Sequence, residues 1–150
     1  MIKINIYKIL SFFGVCDKPH HNNEYLFSKK PVSPYIRRQY QDILNKNYMI
    51  SKTDTTGVIT YVNELFLTTH GLKESDILGK THNVIKSPNT PSEIYRDLWH
   101  IISNGIVWSG KVEYKGIGSS VKYALVKIYP IRNDDNVVVE YLAMREDITD

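Results

Sequence analysis

Five histidines, one cysteine and two tryptophans carry most of the chemical reach of this 150-residue chain. Cys16 is the only thiol, which excludes an internal disulfide, a four-thiol zinc site and an iron–sulfur cluster, and points to a reducing compartment. His20 and His21 are adjacent but have no acidic or thiol partner at metal-site spacing, so they read as solvated side chains and no metal site is expected. His70, His82 and His100 could each offer an axial nitrogen to a haem iron; His100 falls nearer the polar side of its helix and reads as solvated. The indole of Trp99 could stack on a flat ligand, with core packing as the alternative, while Trp108 opens a strand and reads as packing. Asp134 and Asp135 share a turn with no histidine or arginine nearby in sequence, and read as solvated. The chain holds no Gly-x-Ser-x-Gly elbow, P-loop, dinucleotide fingerprint or His-Glu-x-x-His, so no catalysis is expected.

The elements that must position these residues follow from spacing. Ser33 is a plausible N-cap with Pro34 at the first helical position, and Tyr35, Ile36, Tyr40, Ile43 and Leu44 form an apolar face, giving a helix over Ser33–Lys46. Tyr48–Lys52 and Val58–Val62 flank Thr55-Thr56-Gly57 and read as a hairpin. Asn63 can cap a short helix that Gly71 ends, and Glu74–Leu78 forms another, closed by Gly79. Thr90-Pro91-Ser92-Glu93 has the form of a capping box, starting a helix whose buried face is Ile94, Leu98, Ile101 and Ile102 and which Asn104-Gly105 ends. Val107–Tyr114, Val121–Tyr129 and Val137–Arg145 complete the set as strands. The order predicts an α+β domain: a five-stranded antiparallel sheet, helices inserted between strands 2 and 3 and covering one face, and an N-terminal helical extension.

Charge divides the chain in the same place. Residues 1–48 hold eight Lys/Arg against three Asp/Glu, and residues 49–150 hold eleven against thirteen, so the body is mildly acidic and a poor surface for nucleic acid. In Met1–Cys16 an apolar run is interrupted by Lys8, which argues against a signal peptide, and the run is too short to span a bilayer. Ile2, Ile6, Ile9, Leu10 and Phe13 share one helical side, which suits a peripheral membrane or partner contact, yet Ile2, Ile4 and Ile6 also alternate as a strand would. Asp17–Ser33 reads as a linker. The expected organisation is an extension over residues 1–47, a domain over residues 48–150 and a cytoplasmic location.

From Tyr48 to Asp150 the residues resemble the PAS sensory domains. Thr53-Asp54 with Gly57, Ile59-Thr60-Tyr61-Val62-Asn63, Phe66, Gly71-Leu72, Ile77-Leu78-Gly79-Lys80 and His82-Asn83 resemble the entry half of such a domain. Trp99, Trp108-Ser109-Gly110, Pro130-Ile131 and Arg145-Glu146-Asp147-Ile148-Thr149 resemble its exit half. The resemblance is closest to the subgroup of aerotaxis receptors, the redox-sensing nitrogen-fixation regulator and sensors attached to diguanylate cyclases, several of which bind FAD. It implies a PAS fold, FAD as cofactor, and a cofactor site drawn from Asn63, His82, Asn83, Lys86, Ser87, Asn89, Trp99, Trp108 and Tyr114. Asn63 has a cap role as its alternative.

Two stretches depart from the subgroup. Where aerotaxis receptors read close to I-V-R-H-P-D-M-P, this chain has Val84-Ile85-Lys86-Ser87-Pro88-Asn89-Thr90-Pro91, replacing a bidentate fork by a point charge and removing an acceptor-only group. Where W-S-G usually leads into V-x-N-R-R-K-D-G, this chain has Val112-Glu113-Tyr114-Lys115-Gly116. A blue-light flavin adduct needs a cysteine beside the ring, and Cys16 lies in the leader. The resemblance therefore implies a redox or oxygen sensor that signals through altered protein contacts. The alternative is a cofactor-free interaction and dimerisation module. A homodimer through Ser33–Lys46 and part of Met1–Phe13 is expected, as is a separate or C-terminal effector of chemoreceptor, kinase or cyclase type. The chain stops one residue after Thr149, which suits either a stand-alone sensor or an excised module, and Met1 makes the amino end look natural.

Overall fold

The computed structural model describes residues 33–149. The leader Met1–Cys16, most of the Asp17–Ser33 linker and the His20–His21 pair lie outside them. The chain divides into two units, Met1–Asp42 and Ile43–Asp150. Helix α1 (Pro34–Asn47) starts in the first and ends in the second. Ser33 caps it as expected, its Oγ accepting from the Ile36 N–H at 3.3 Å. None of its residues is buried.

The second unit has the expected order: β1 (Met49–Thr53), β2 (Ile59–Val62), α2 (Glu64–His70), α3 (Glu74–Ile77), a 3-10 turn (His82–Val84), α4 (Ser92–Ser103), β3 (Trp108–Lys115), β4 (Val121–Arg132) and β5 (Val138–Asp147). The strands form one antiparallel sheet in the order β2-β1-β5-β4-β3, so the last strand in sequence lies at its centre. Hairpin geometry comes from Asp54, whose carboxylate accepts from Thr56 N–H, Thr56 Oγ1 and Val58 N–H at 2.9, 2.7 and 3.0 Å, while Gly57 takes φ +88°. Asn63 caps α2, and Gly71 closes it in the left-handed region.

Inward residues of the strands meet the helices in one core that includes Met49, Ile59, Phe66, Ile77 and Ile102. Strands β4 and β5 run further than their apolar residues suggest. β3 pairs with β4 only as far as Trp108 opposite Ile128, whereas β5 continues to pair past Pro130, which stands opposite Tyr141.

One expected cap is corrected. α4 begins at Ser92 with Pro91 at the cap position and no side-chain cap bond. The Thr90 hydroxyl, which a capping box would turn to the helix, instead donates to the Glu113 carbonyl of β3 at 3.3 Å. A tertiary partner outcompetes the local one.

Candidate functional site: a cavity between α4 and the sheet

A cavity of about 360 Å³ lies between α4 and the inner face of the sheet. This is near the lower end of the roughly 300–1,000 Å³ typical of small-molecule sites. Strand periodicity builds its floor: Ala124, Val126 and Ile128 alternate inward on β4, and Tyr141, Ala143 and Arg145 do so on β5. The two alanines leave the room that larger side chains would fill. On β3 the ring of Trp108 lies along the strand over Gly110, where an added Cβ would come within 2.6 Å of it. Trp108 is thus both buried and part of the cavity wall.

The roof comes from α4 through Tyr95, Leu98, Trp99 and Ile102. Trp99 is not a core residue, being 40% exposed, with its ring over Gly57 and its ring centre 5.9 Å from that of Tyr141 in an edge-to-face arrangement. It forms a lid of indole between the hairpin turn and the helix. His100 is exposed.

The polar end of the cavity is a chain of three side chains. Arg145 Nη1 donates to Ser51 Oγ at 2.8 Å, and Ser51 Oγ lies 2.9 Å from His82 Nε2. Burial, with Arg145 and His70 adding to it, holds His82 well below the usual imidazole range, so the ring is neutral. The Ser51 hydroxyl thus joins the buried guanidinium to a neutral imidazole. Arg145 itself is 8% exposed, and its guanidinium stands 5.4 Å from the Phe66 ring centre. His70 stacks on the other residues of this region rather than lining the cavity: its ring is 4.4 Å from Phe66, and Nδ1 lies 2.8 Å from the Phe66 carbonyl.

Six of the nine residues implied by resemblance reach the cavity: His82, Asn83, Lys86, Trp99, Trp108 and Tyr114. Three do not. Asn63 spends its side chain on the fold, accepting from Ile50 and Phe66 N–H groups at 2.9 and 3.0 Å and donating to the Tyr48 carbonyl at 2.8 Å. Ser87 and Asn89 both donate to Glu113 Oε1, the second at 2.8 Å, and these bonds hold the Glu113 carboxyl below its usual range. Together with the Lys86–Tyr114 bridge, they fasten the loop after the 3-10 turn to β3. Lys86 places its ammonium 4.2 Å from the centre of the Tyr95 ring.

Sequence reasoning left out Ser51, Tyr95, Glu113 and Tyr141, and took Arg145 only as part of a closing motif. One signal for Arg145 was available: in Tyr141-x-Ala143-x-Arg145 the arginine keeps the phase of the buried residues.

The profile of the PAS domain family matches residues 46–150. The aerotaxis receptor of Escherichia coli is 24% identical over 117 residues, which are 78% of this chain and 23% of that protein. The nitrogen fixation regulatory protein of Klebsiella pneumoniae is 29% identical over 100 residues, 67% of this chain and 20% of that protein. This chain thus spans about a fifth of the length of the curated relatives it matches. Among solved structures, the PAS domain of a protein from Colwellia psychrerythraea superposes with a TM-score of 0.66 at 21% identity, covering 76% of this chain and 98% of that one. No described helix is long and apolar enough to cross a membrane.

Proposed function

Since this chain belongs to the PAS domain family, we propose that it is a sensory domain that holds a flavin between α4 and the sheet, detects redox state or oxygen, and signals through altered protein contacts without catalysis of its own. The observation that carries this reading is the cavity, with indole and phenol rings from Trp99, Trp108, Tyr95 and Tyr141 around one space. Flat aromatic walls suit a fused heterocycle, and a few polar groups fix its orientation. The residues present fit the ring system of FAD, for which Asn83, Tyr114 and Arg145 supply donors. A flavin supplies reversible electron transfer when bound. The protein's share is to exclude water with Trp99 and Trp108 and to orient the ring with the polar end.

The rival reading, a cofactor-free module, has the pocket filled by its own side chains, and Ala124 and Ala143 on the floor favour the ligand-binding reading over it. A homodimer through α1, with the leader contributing, and a chemoreceptor, kinase or cyclase effector complete the proposal.

The test is an absorption spectrum of the purified full chain. Oxidised-flavin bands that bleach with dithionite and return in air support the reading. A colourless protein that also fails to take up added FAD refutes it. In Trp99→Ala, flavin occupancy should fall more than melting temperature, because the ring is lid rather than core.

A further inference from the structure

Arg145 is a cation in a place where cations are expensive. It sits mid-sheet, opposite Met49 on β1 and Val126 on β4, buried to 8% exposure and facing the cavity. Among the described residues, its one hydrogen bond goes to a neutral hydroxyl, Ser51 Oγ, and no carboxylate pairs with it. Glu113, which also lines the cavity, has Oε1 occupied by Ser87 and Asn89. Burial lowers the guanidinium only to about 10, so the charge persists at neutral pH. A buried charge that no carboxylate answers is costly, the face of the Phe66 ring 5.4 Å away offsets only part of that cost, and a guanidinium has five donors in a planar fork. Ser51 takes one of them. The remaining fork looks for a partner that the described chain does not supply.

We infer that Arg145 is the anion-recognising residue of the cavity: the ligand seated there presents a negatively charged oxygen or nitrogen edge to its guanidinium. This rests on the reading of the cavity as a ligand site and extends it, because it assigns the charge of the form that binds best. Two sources share the chemistry. One is the pyrimidine edge of a flavin, which becomes anionic on reduction; the other is the carboxylate of an organic acid. Either binds its charged form more tightly than its neutral form, because only the charged form answers the buried cation.

The experiment uses the full chain, with Arg145→Met and Arg145→Lys beside it. In one arm FAD is titrated anaerobically, oxidised and then reduced by dithionite at mildly alkaline pH. In the other, decanoate is compared with its methyl ester. We expect at least one arm to show about a tenfold preference for the anion in the unsubstituted chain, lost in Arg145→Met and partly kept in Arg145→Lys. In the flavin arm, tenfold equals about 30 mV of higher two-electron potential. Without ligand, Arg145→Met should melt no lower than the unsubstituted chain, since a buried charge has been removed.

Decanoate binding with that preference, and no FAD binding, would support Arg145 and refute flavin. FAD binding with equal affinity for both forms, and no preference for decanoate over its ester, would support flavin and overturn the proposal for Arg145. Binding in neither arm overturns both. If Arg145→Met does not fold, the unsubstituted chain decides alone, and absence of anion preference there overturns the proposal.

Discussion

Gly57→Ala tests whether the indole lid and the hairpin turn are packed as described. A Cβ at Gly57 would stand 2.7 Å from Cη2 and Cζ2 of Trp99, and the backbone there has φ +88°. Two separate costs follow. A non-glycine residue at positive φ costs roughly 1–2 kcal/mol. Forcing a methyl into an occupied contact costs about 1–3 kcal/mol, and the low end applies because Trp99 is 40% exposed and can swing outward. The sum is about 2–3 kcal/mol, or a fall in Tm on the order of 10–20 °C for a domain of this size. The costs separate in a double-mutant cycle followed by urea denaturation and circular dichroism. In a Trp99→Ala background, Gly57→Ala should pay only the backbone cost, leaving a coupling of about 1 kcal/mol with the double variant less damaged than the sum. Additivity within about 0.5 kcal/mol would refute the contact.

Acid should destabilise the fold through its buried histidines. Burial holds His70 down at about 4, against 6.5 in the unfolded chain, so between these values the unfolded chain binds the extra proton and stability falls as pH falls, by about 3 kcal/mol in all. His82 acts in the same direction. Burial pushes the Asp147 carboxyl up, but bonds from Thr149 and Lys122 outweigh it and hold it at about 2, so the loss continues below the usual carboxylate range. A urea midpoint that stays flat from pH 6.5 to 4 would show that these rings are solvated. Asn63→Ala should cost about 2–4 kcal/mol in denaturant, through the lost cap and the backbone groups left unpaired, while ligand affinity stays unchanged; a loss of affinity at full stability would return Asn63 to the site. Removing residues 1–47 should leave a folded monomer by light scattering, and a dimer surviving the truncation would move the interface elsewhere.

The elements readable from sequence are those whose decisive contacts are local. Ser33, Gly71 and Gly105 act within a few residues of where they stand, as does the cap bond that Asn63 makes to Phe66, and each ends or starts a helix where expected. The capping-box pattern at Thr90 fails because its partner is 23 residues away on β3, a competition that no local pattern carries. Apolar alternation fades after Tyr129, which ends the expected strand there, yet pairing with β5 carries it to Arg132. At the site, aromatic residues stand out by type, whereas Ser51 matters through partners 31 and 94 residues distant and Glu113 through partners 24 and 26 residues distant. Resemblance supplied the polar loop residues, and the structure shows two of them, Ser87 and Asn89, turned to a strand carboxylate instead of the cavity.

Pro130 bears on how copies of this protein behave at high concentration. Beyond Ile128 no described strand pairs with the outer side of β4, and although Tyr129 is buried and Arg132 reaches the Gly105 carbonyl at 3.5 Å, residues 129–132 form a short unpaired edge. Such a rim invites a strand from another molecule to zip on, which is the first step of polymerisation. A proline tolerated there must turn its missing N–H outward, since the side facing β5 is paired. An incoming strand would find one donor absent and a ring in its path after at most one or two bonds. The overhang that lets β4 and β5 support the Tyr141 wall of the cavity is thereby kept from becoming a template for fibres.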